Sequence, residues 1–96
     1  MHLIVTALRR TARFDADVRR AAPDIQKAAR DAANKLLAES QAGSLRLHPL
    51  KGLPKPMVFK IDVMANHSWQ ITFELVGQTA NLLRLADHKT IDRNPR

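Results

Sequence analysis

The chain has 96 residues and no cysteine, and its 16 lysines and arginines against nine aspartates and glutamates give a formal net charge of +7. This length gives one domain, residues 1–96, without a separate cofactor domain, and the lack of cysteine excludes disulfides and thiolate metal sites. The basic charge is typical of chains that bind nucleic acid or an acidic protein, although a soluble domain with a basic surface explains it equally well.

The N-terminal segment MHLIVTALRR places its arginines after a short apolar run, which is the reverse of the order in a signal peptide. No apolar stretch approaches the ~20 residues that a membrane-spanning helix needs. We therefore expect a cytoplasmic protein without a membrane partner. Within this segment, HLIVTAL (2–8) is rich in β-branched residues and predicts a short buried strand.

Two helical segments follow. Phe14, Val18 and Ala21 repeat at spacings of four and three residues, which indicates one helical stripe. Pro23 suits the first turn of a second helix, and PDIQKAARDAANKLLAES (23–40) is strongly amphipathic and rich in alanine. This helix is expected to end before Gly43, and its small side chains favour close packing against a sheet.

The second half of the chain changes to a period of two residues. After a proline-containing loop (52–57), alternating segments at 57–65, 67–75 and 79–87 predict three antiparallel strands, followed by a polar tail that ends loosely. The predicted fold class is α+β, in the order β-α-α-β-β-β, with two helices on one face of a four-stranded, mostly antiparallel sheet. The other face would keep the polar side chains of the alternation, namely Lys60, Asp62, Gln70, Thr72, Glu74 and Arg84.

Candidate functional groups cluster in this second half. The four histidines lack the spacing of metal ligands, and three glycines are too few for a phosphate-binding loop, so no metal site and no cofactor are predicted. Neighbouring strand ends would instead bring together His48, Lys51, Lys60, Asp87 and His88. Such a set suits RNA cleavage, in which histidine transfers protons and lysine stabilises the charge that develops on phosphorus.

Each of these residues also has a purely structural explanation. His48 precedes Pro49 and is explained equally by a turn, and Lys51 and Lys60 are of the type that commonly faces solvent. Asp87 and His88 are also compatible with a turn closed by an Asx hydrogen bond. Trp69 suits a core position better than a base-stacking platform.

The segments LHPLKG, NHSWQITFELVGQTANLL and ADH, taken together, resemble the HigB-like branch of the RelE/ParE superfamily of type II toxin–antitoxin toxins. The resemblance is clearest over residues 45–88 and implies a RelE-like fold and ribosome-dependent, metal-independent cleavage of messenger RNA. His48 and Lys51 match the family's histidine and lysine before the sheet, Lys60 a strand lysine, and Asp87 and His88 the C-terminal acidic residue and histidine. The implied RNA-binding residues are Trp69, Gln70, Arg84, Lys89 and Arg93.

Two departures from the family pattern affect the predicted activity. Gln70 stands where the family usually has an arginine that could bind the scissile phosphate with two hydrogen bonds. The C-terminal group ADH lacks the family's aromatic residue, and the chain has no tyrosine. A weakened nuclease, or one that uses Arg84 or Arg93 instead, therefore remains open.

Three functions follow from the resemblance. The first is an mRNA endonuclease, in which His88 transfers a proton, His48 assists, Lys51 and Lys60 bind phosphate and Asp87 orients His88. Its partners would be the ribosome with its message and an acidic antitoxin that covers the basic surface. The second is a ParE-like poison of DNA gyrase without nuclease activity. The third is a non-toxic relative that binds only its antitoxin.

Overall fold

The computed structural model describes residues 4–39, 43–52, 56–64, 66 and 68–96. The helices and strands are, in chain order, β1 (Ala7–Arg10), α1 (Ala12–Arg20), α2 (Pro23–Ala38), β2 (His48–Pro49), β3 (Val58–Asp62), β4 (Trp69–Val76), β5 (Thr79–Asp87) and α3 (His88–Arg93). The strands form one sheet in the order β1-β5-β4-β3-β2, in which β1 and β5 are parallel and the other three described pairs are antiparallel. The α+β class and the order of the predicted elements are thereby confirmed.

Three details of the prediction were wrong. The sheet has five strands because residues 48 and 49 form a short edge strand, which is too short to show an alternating pattern. The first strand is Ala7–Arg10, largely exposed at the other edge, rather than a buried strand at 2–8. The polar tail forms α3 instead of ending loosely. Residues 2 and 3, the end of the predicted second helix at residue 40, and parts of the predicted loop 52–57 and turn 65–68 lie outside the described residues.

The main core lies between the two long helices and one face of the sheet. Thr11 caps α1, because its hydroxyl oxygen accepts a hydrogen bond from the Phe14 N–H at 3.2 Å, and Pro23 begins α2. Leu36 of α2 is fully buried against strand residues that include Phe59 and Phe73, whose rings stack at 5.5 Å. No helix among the described residues is long and apolar enough to cross a bilayer.

The opposite face of the sheet is polar in sequence and is nevertheless buried. Lys60, Asp62, Gln70, Thr72 and Arg84 each have at most 7 % of their surface exposed. Helix α3 contacts β4 and β5, and its single large apolar residue, Ile91, is fully buried outside the main core cluster. The segment that the sequence suggested would be loose therefore covers Lys60, Thr72 and Arg84 of the predicted polar face, whereas Glu74 is only half-buried.

Candidate functional site

Four polar side chains lie directly opposite one another across four neighbouring strands. His48 pairs with Lys60, Lys60 with Thr72, and Thr72 with Arg84. Directly paired residues of a sheet project from the same face, and strands lie ~4.8 Å apart, so the four positions form a line about 14 Å long. We call this line the polar row. It brings together three predicted site residues and adds Thr72, which the sequence placed on this face without assigning it a role.

A chain of polar contacts runs beside the row and fixes Lys60. The Lys60 ammonium donates to the side-chain oxygen of Gln70, Oε1, at 3.4 Å. The side-chain nitrogen of Gln70, Nε2, donates to the Asp62 carboxylate at 3.1 Å. Arg46 also pairs with Asp62 at 3.6 Å. Gln70 therefore links an acidic residue to the row's lysine, where the family pattern would place a second cation.

The two predicted histidines present different ring nitrogens to their neighbours. His48 Nδ1 lies 2.6 Å from the Arg46 carbonyl oxygen, which can only accept, so Nδ1 carries the proton and Nε2 is the basic nitrogen of the neutral ring. His88 Nε2 lies 3.3 Å from the Asp92 carboxylate, so in that ring the basic nitrogen is Nδ1. Arg46, which holds His48 in this way, has a left-handed backbone with φ of 47°.

Asp92 is a site residue that the sequence did not identify. One of its oxygens is 3.3 Å from His88 and the other is 3.9 Å from the Lys60 ammonium, so it lies between two predicted catalytic groups. The i,i+4 spacing of His88 and Asp92 would have indicated a shared helix face, had a helix been predicted there. Within the described residues, the carboxylate that pairs with His88 is that of Asp92, and the orientation of His88 by Asp87 stays a prediction.

Asp17 of α1 holds Arg84 at the edge of β5. Its Oδ2 accepts from Arg84 Nε at 2.8 Å and from the Leu85 N–H at 3.0 Å, in the stretch where β1 has ended, and its Oδ1 accepts from Arg20 at 2.8 Å. Burial alone raises the pKa of Asp17, but the hydrogen bonds from Arg84, Leu85 and Arg20 outweigh that effect and lower it. Arg84 is therefore a buried guanidinium with a fixed orientation.

Asp87 has a helix-capping role. Its carboxylate accepts from the Thr90 N–H at 2.8 Å and from the Thr90 hydroxyl at 3.1 Å, which closes the first turn of α3. The hydrogen bond from the Thr90 backbone is the largest cause of its lowered pKa. Asp87 thus positions the helix that carries His88.

Replacing Asp87 with alanine is expected to lower the free energy of unfolding by about 1 kcal/mol at pH 7, because α3 loses its N-cap. Asparagine at this position should cost much less, since it caps almost as well. Because the folded pKa is lowered, the carboxylate's contribution is complete above its unfolded pKa of about 3.9 and is lost as the pH falls through the folded value. Urea unfolding of the three proteins at pH 7 and pH 3 measures both effects, and equal stabilities at pH 7 would contradict the capping role.

The remaining predicted residues lie around the row. Lys51 is exposed just beyond β2, and Lys89 and Arg93 are exposed on α3. Trp69 is half-buried, begins β4 opposite Asp87 and packs against the main core, so it faces the helices and not the row. No group of three or more potential ligand residues within the described ranges is arranged to hold a metal ion.

Comparison with known proteins gives structural but not sequence matches. No protein-family model matches the sequence, and no curated protein matches it either. The chain is similar to the Escherichia coli DinJ–YafQ toxin–antitoxin complex, with a TM-score of 0.71 at 15 % identity over 91 % of this chain and 98 % of that one. It is similar to the YoeB/ParE toxin from Agrobacterium tumefaciens, with a TM-score of 0.66 at 16 % identity over 85 % and 98 % of the two chains.

A third similar structure is the RelB–RelE antitoxin–toxin complex from Methanococcus jannaschii, with a TM-score of 0.61 at 20 % identity over 88 % of this chain and 95 % of that one. These neighbours do not single out the HigB-like branch to which the sequence pointed. At such identities the likeness concerns the fold, and it extends over nearly the whole of each chain. The polypeptide therefore has the fold of the toxins of the RelE/ParE superfamily.

Proposed function

We propose that this chain is the toxin of a type II toxin–antitoxin pair and that it cleaves messenger RNA on the ribosome without a metal ion. The observation that carries the proposal is the polar row, in which a histidine, a lysine, a hydroxyl and an arginine lie in line on one sheet face, with His88 and Asp92 over it. Proton-transferring and cationic groups on one face are what RNA cleavage requires.

The chemistry can be assigned to these groups. The RNA 2′-hydroxyl loses a proton and attacks the adjacent phosphorus, the bond to the 5′-oxygen breaks, and that oxygen gains a proton. His88 and His48 each present one ring nitrogen that can take or deliver a proton, with the other nitrogen held by Asp92 or by the Arg46 carbonyl. The Lys60 ammonium, held by Gln70, stabilises the additional charge on the phosphate.

An acidic antitoxin is the proposed protein partner. The chain carries a net charge of +7, and two of its structural neighbours were solved as complexes with the antitoxins DinJ and RelB. A partner with an acidic surface would associate rapidly with such a chain through long-range attraction. Its contacts would remove the toxin from the ribosome, which is the proposed site of action in the cytoplasm.

The experiment that tests the activity is cleavage of a defined messenger RNA on programmed ribosomes, read by primer extension, with and without EDTA. We expect cuts at the A-site codon that depend on the ribosome and persist in EDTA. Cuts that disappear on chelation would contradict the metal-independent mechanism. No cuts from folded protein would contradict the nuclease.

One observation favours a second candidate, a ParE-like poison of DNA gyrase. Gln70 supplies no charge where a nuclease of this family usually has arginine, and its amide is engaged by Lys60 and Asp62. A gyrase supercoiling assay with the same preparation separates the two activities. Inhibition of supercoiling, together with the absence of RNA cleavage, would replace the nuclease proposal.

Lys51 offers a prediction about phosphate binding, because it is exposed two residues after β2, the strand that carries His48 of the row. Replacing it with alanine should weaken ribosome-dependent cleavage at low substrate concentration and reduce the slope of log affinity against log salt by about 1. The matched control is Lys27→Ala on α2, which removes the same charge from the helical side of the molecule. Equal effects of the two substitutions would indicate that net charge alone is responsible.

A further inference from the structure

The C-terminal strap, residues 92–96, binds three of the four members of the polar row. The Asp92 carboxylate lies 3.9 Å from the Lys60 ammonium, the Thr72 hydroxyl donates to the Pro95 carbonyl at 2.6 Å, and Arg84 Nη1 donates to the Asn94 carbonyl at 2.9 Å. Each contact pairs a donor of the row with an oxygen acceptor of the strap. The strap thus covers these three donors with acceptors, although Asp92, Asn94 and Pro95 contact β3, β5 and β4 in that order and do not follow the row in sequence.

Phosphate oxygens are acceptors of the same kind and carry more charge. Arginine and threonine side chains commonly bind nucleic-acid phosphates, and a hydrogen bond to an ionised acceptor is roughly twice as strong as one to a neutral carbonyl. Thr72 and Arg84 are directly opposite each other on β4 and β5, and their donors bind the carbonyl oxygens of two consecutive residues, Pro95 and Asn94. Asp17 holds Arg84 from the Nε side and leaves Nη1 directed at the strap.

We infer that Thr72 and Arg84 form a phosphate subsite for single-stranded RNA, and that residues 94–96 occupy this subsite until RNA displaces them. The inference rests on the proposed function and extends it to the path of the substrate. Lys60 would face the scissile phosphate, and the Thr72–Arg84 subsite, one or two strand spacings away, would bind a neighbouring phosphate of the same RNA. RNA would then cross the sheet along the row.

The strap is suited to such an exchange. Within the strap, residues 94–96 follow the end of α3 and belong to no helix or strand, and Asn94 and Arg96 are exposed. Arg96 donates to the Pro56 carbonyl at 2.6 Å, which fastens the end of the strap to the segment just before β3. Weakening that attachment should therefore make the subsite more available.

The test measures binding of a labelled six-nucleotide RNA, fully 2′-O-methylated so that it cannot be cut, to the isolated full-length chain by fluorescence anisotropy. Arg96→Ala removes a positive charge, yet we expect it to tighten binding by about fivefold, because a larger fraction of molecules has the strap open. The matched control, Arg30→Ala on α2, should leave binding equal or weaker. Thr72→Val should weaken binding about fivefold, because the hydrogen bond lost to phosphate is stronger than the one lost to the Pro95 carbonyl. The double substitution should bind more weakly than Arg96→Ala alone.

Hydrogen exchange in the wild-type chain provides a second measurement that does not depend on any variant folding. The Asn94 backbone N–H donates to the Thr90 carbonyl at 2.8 Å. The protection of this N–H against hydrogen exchange should fall when the RNA is bound at saturation. Unchanged protection, or wild-type affinity in both Thr72→Val and Arg96→Ala, would overturn the inference. If the expected affinity changes occur but the wild-type chain makes no ribosomal cuts, the subsite stands and only the nuclease proposal fails.

Discussion

Replacing His88 with alanine is expected to reduce ribosome-dependent cleavage by about 10²- to 10⁴-fold, the usual contribution of a positioned proton-transfer group. His88 begins α3 beside the row, with Nε2 held by Asp92 and its side chain about half exposed, so a substrate can reach it. Because the side chain is not buried, the substitution should leave the fold intact. Single-turnover cleavage on programmed ribosomes, with circular dichroism of the same preparations, measures both statements.

A second substitution separates proton transfer from helix position. Glutamine at residue 88 can still donate a hydrogen bond to Asp92 but cannot titrate near neutral pH. The glutamine variant should therefore be as inactive as the alanine variant. Activity restored by glutamine would mean that His88 positions α3 and transfers no proton.

The parts of the fold that follow from local periodicity could be predicted. The amphipathic repeat of α2 and the alternation of β3, β4 and β5 depend on neighbours within a few residues, so composition and spacing were sufficient. The same alternation placed Lys60 and Thr72 on one face. It gave no indication of their exact alignment with His48 and Arg84, because strand register depends on turns and pairing that the sequence pattern does not specify.

The covering of the polar face could not be predicted, for physical reasons. In HKTIDRNPR a single apolar side chain, Ile91, anchors α3, and one such residue gives no detectable period. Asp92 consequently did not enter the predicted site. The pairing of Asp17 with Arg84 joins residues that are 67 positions apart, and it depends on α1 continuing along β5 after β1 has ended.

Replacing Asp17 with alanine is expected to lower the free energy of unfolding by about 3–5 kcal/mol, because the change leaves the buried Arg84 guanidinium without its charge partner. The side chains of Asp17 and Arg84 are only 3 % and 6 % exposed, and the same carboxylate also accepts from the buried Leu85 N–H. Urea unfolding at pH 7 measures the loss. Asp24→Ala, at an exposed position in the first turn of α2, is the matched control and should change stability far less.

Breaking the Asp17–Arg84 ion pair and replacing both of its members with apolar residues are expected to have different effects on stability, and this difference can be measured. In Asp17→Leu combined with Arg84→Met, no buried charge remains at this site, so the double variant should recover much of the stability that Asp17→Ala loses. Because the pKa of Asp17 is lowered in the folded chain, its contribution is complete above the unfolded value of about 3.9 and is lost as the pH falls through the folded one. The double variant should lack that part of the acid dependence. If the double variant is as unstable as Asp17→Ala, the loss of stability comes from the Leu85 N–H, which no longer has an acceptor. The Asp17 carboxylate then serves chiefly to replace the backbone acceptor that β1 would supply if it continued along β5.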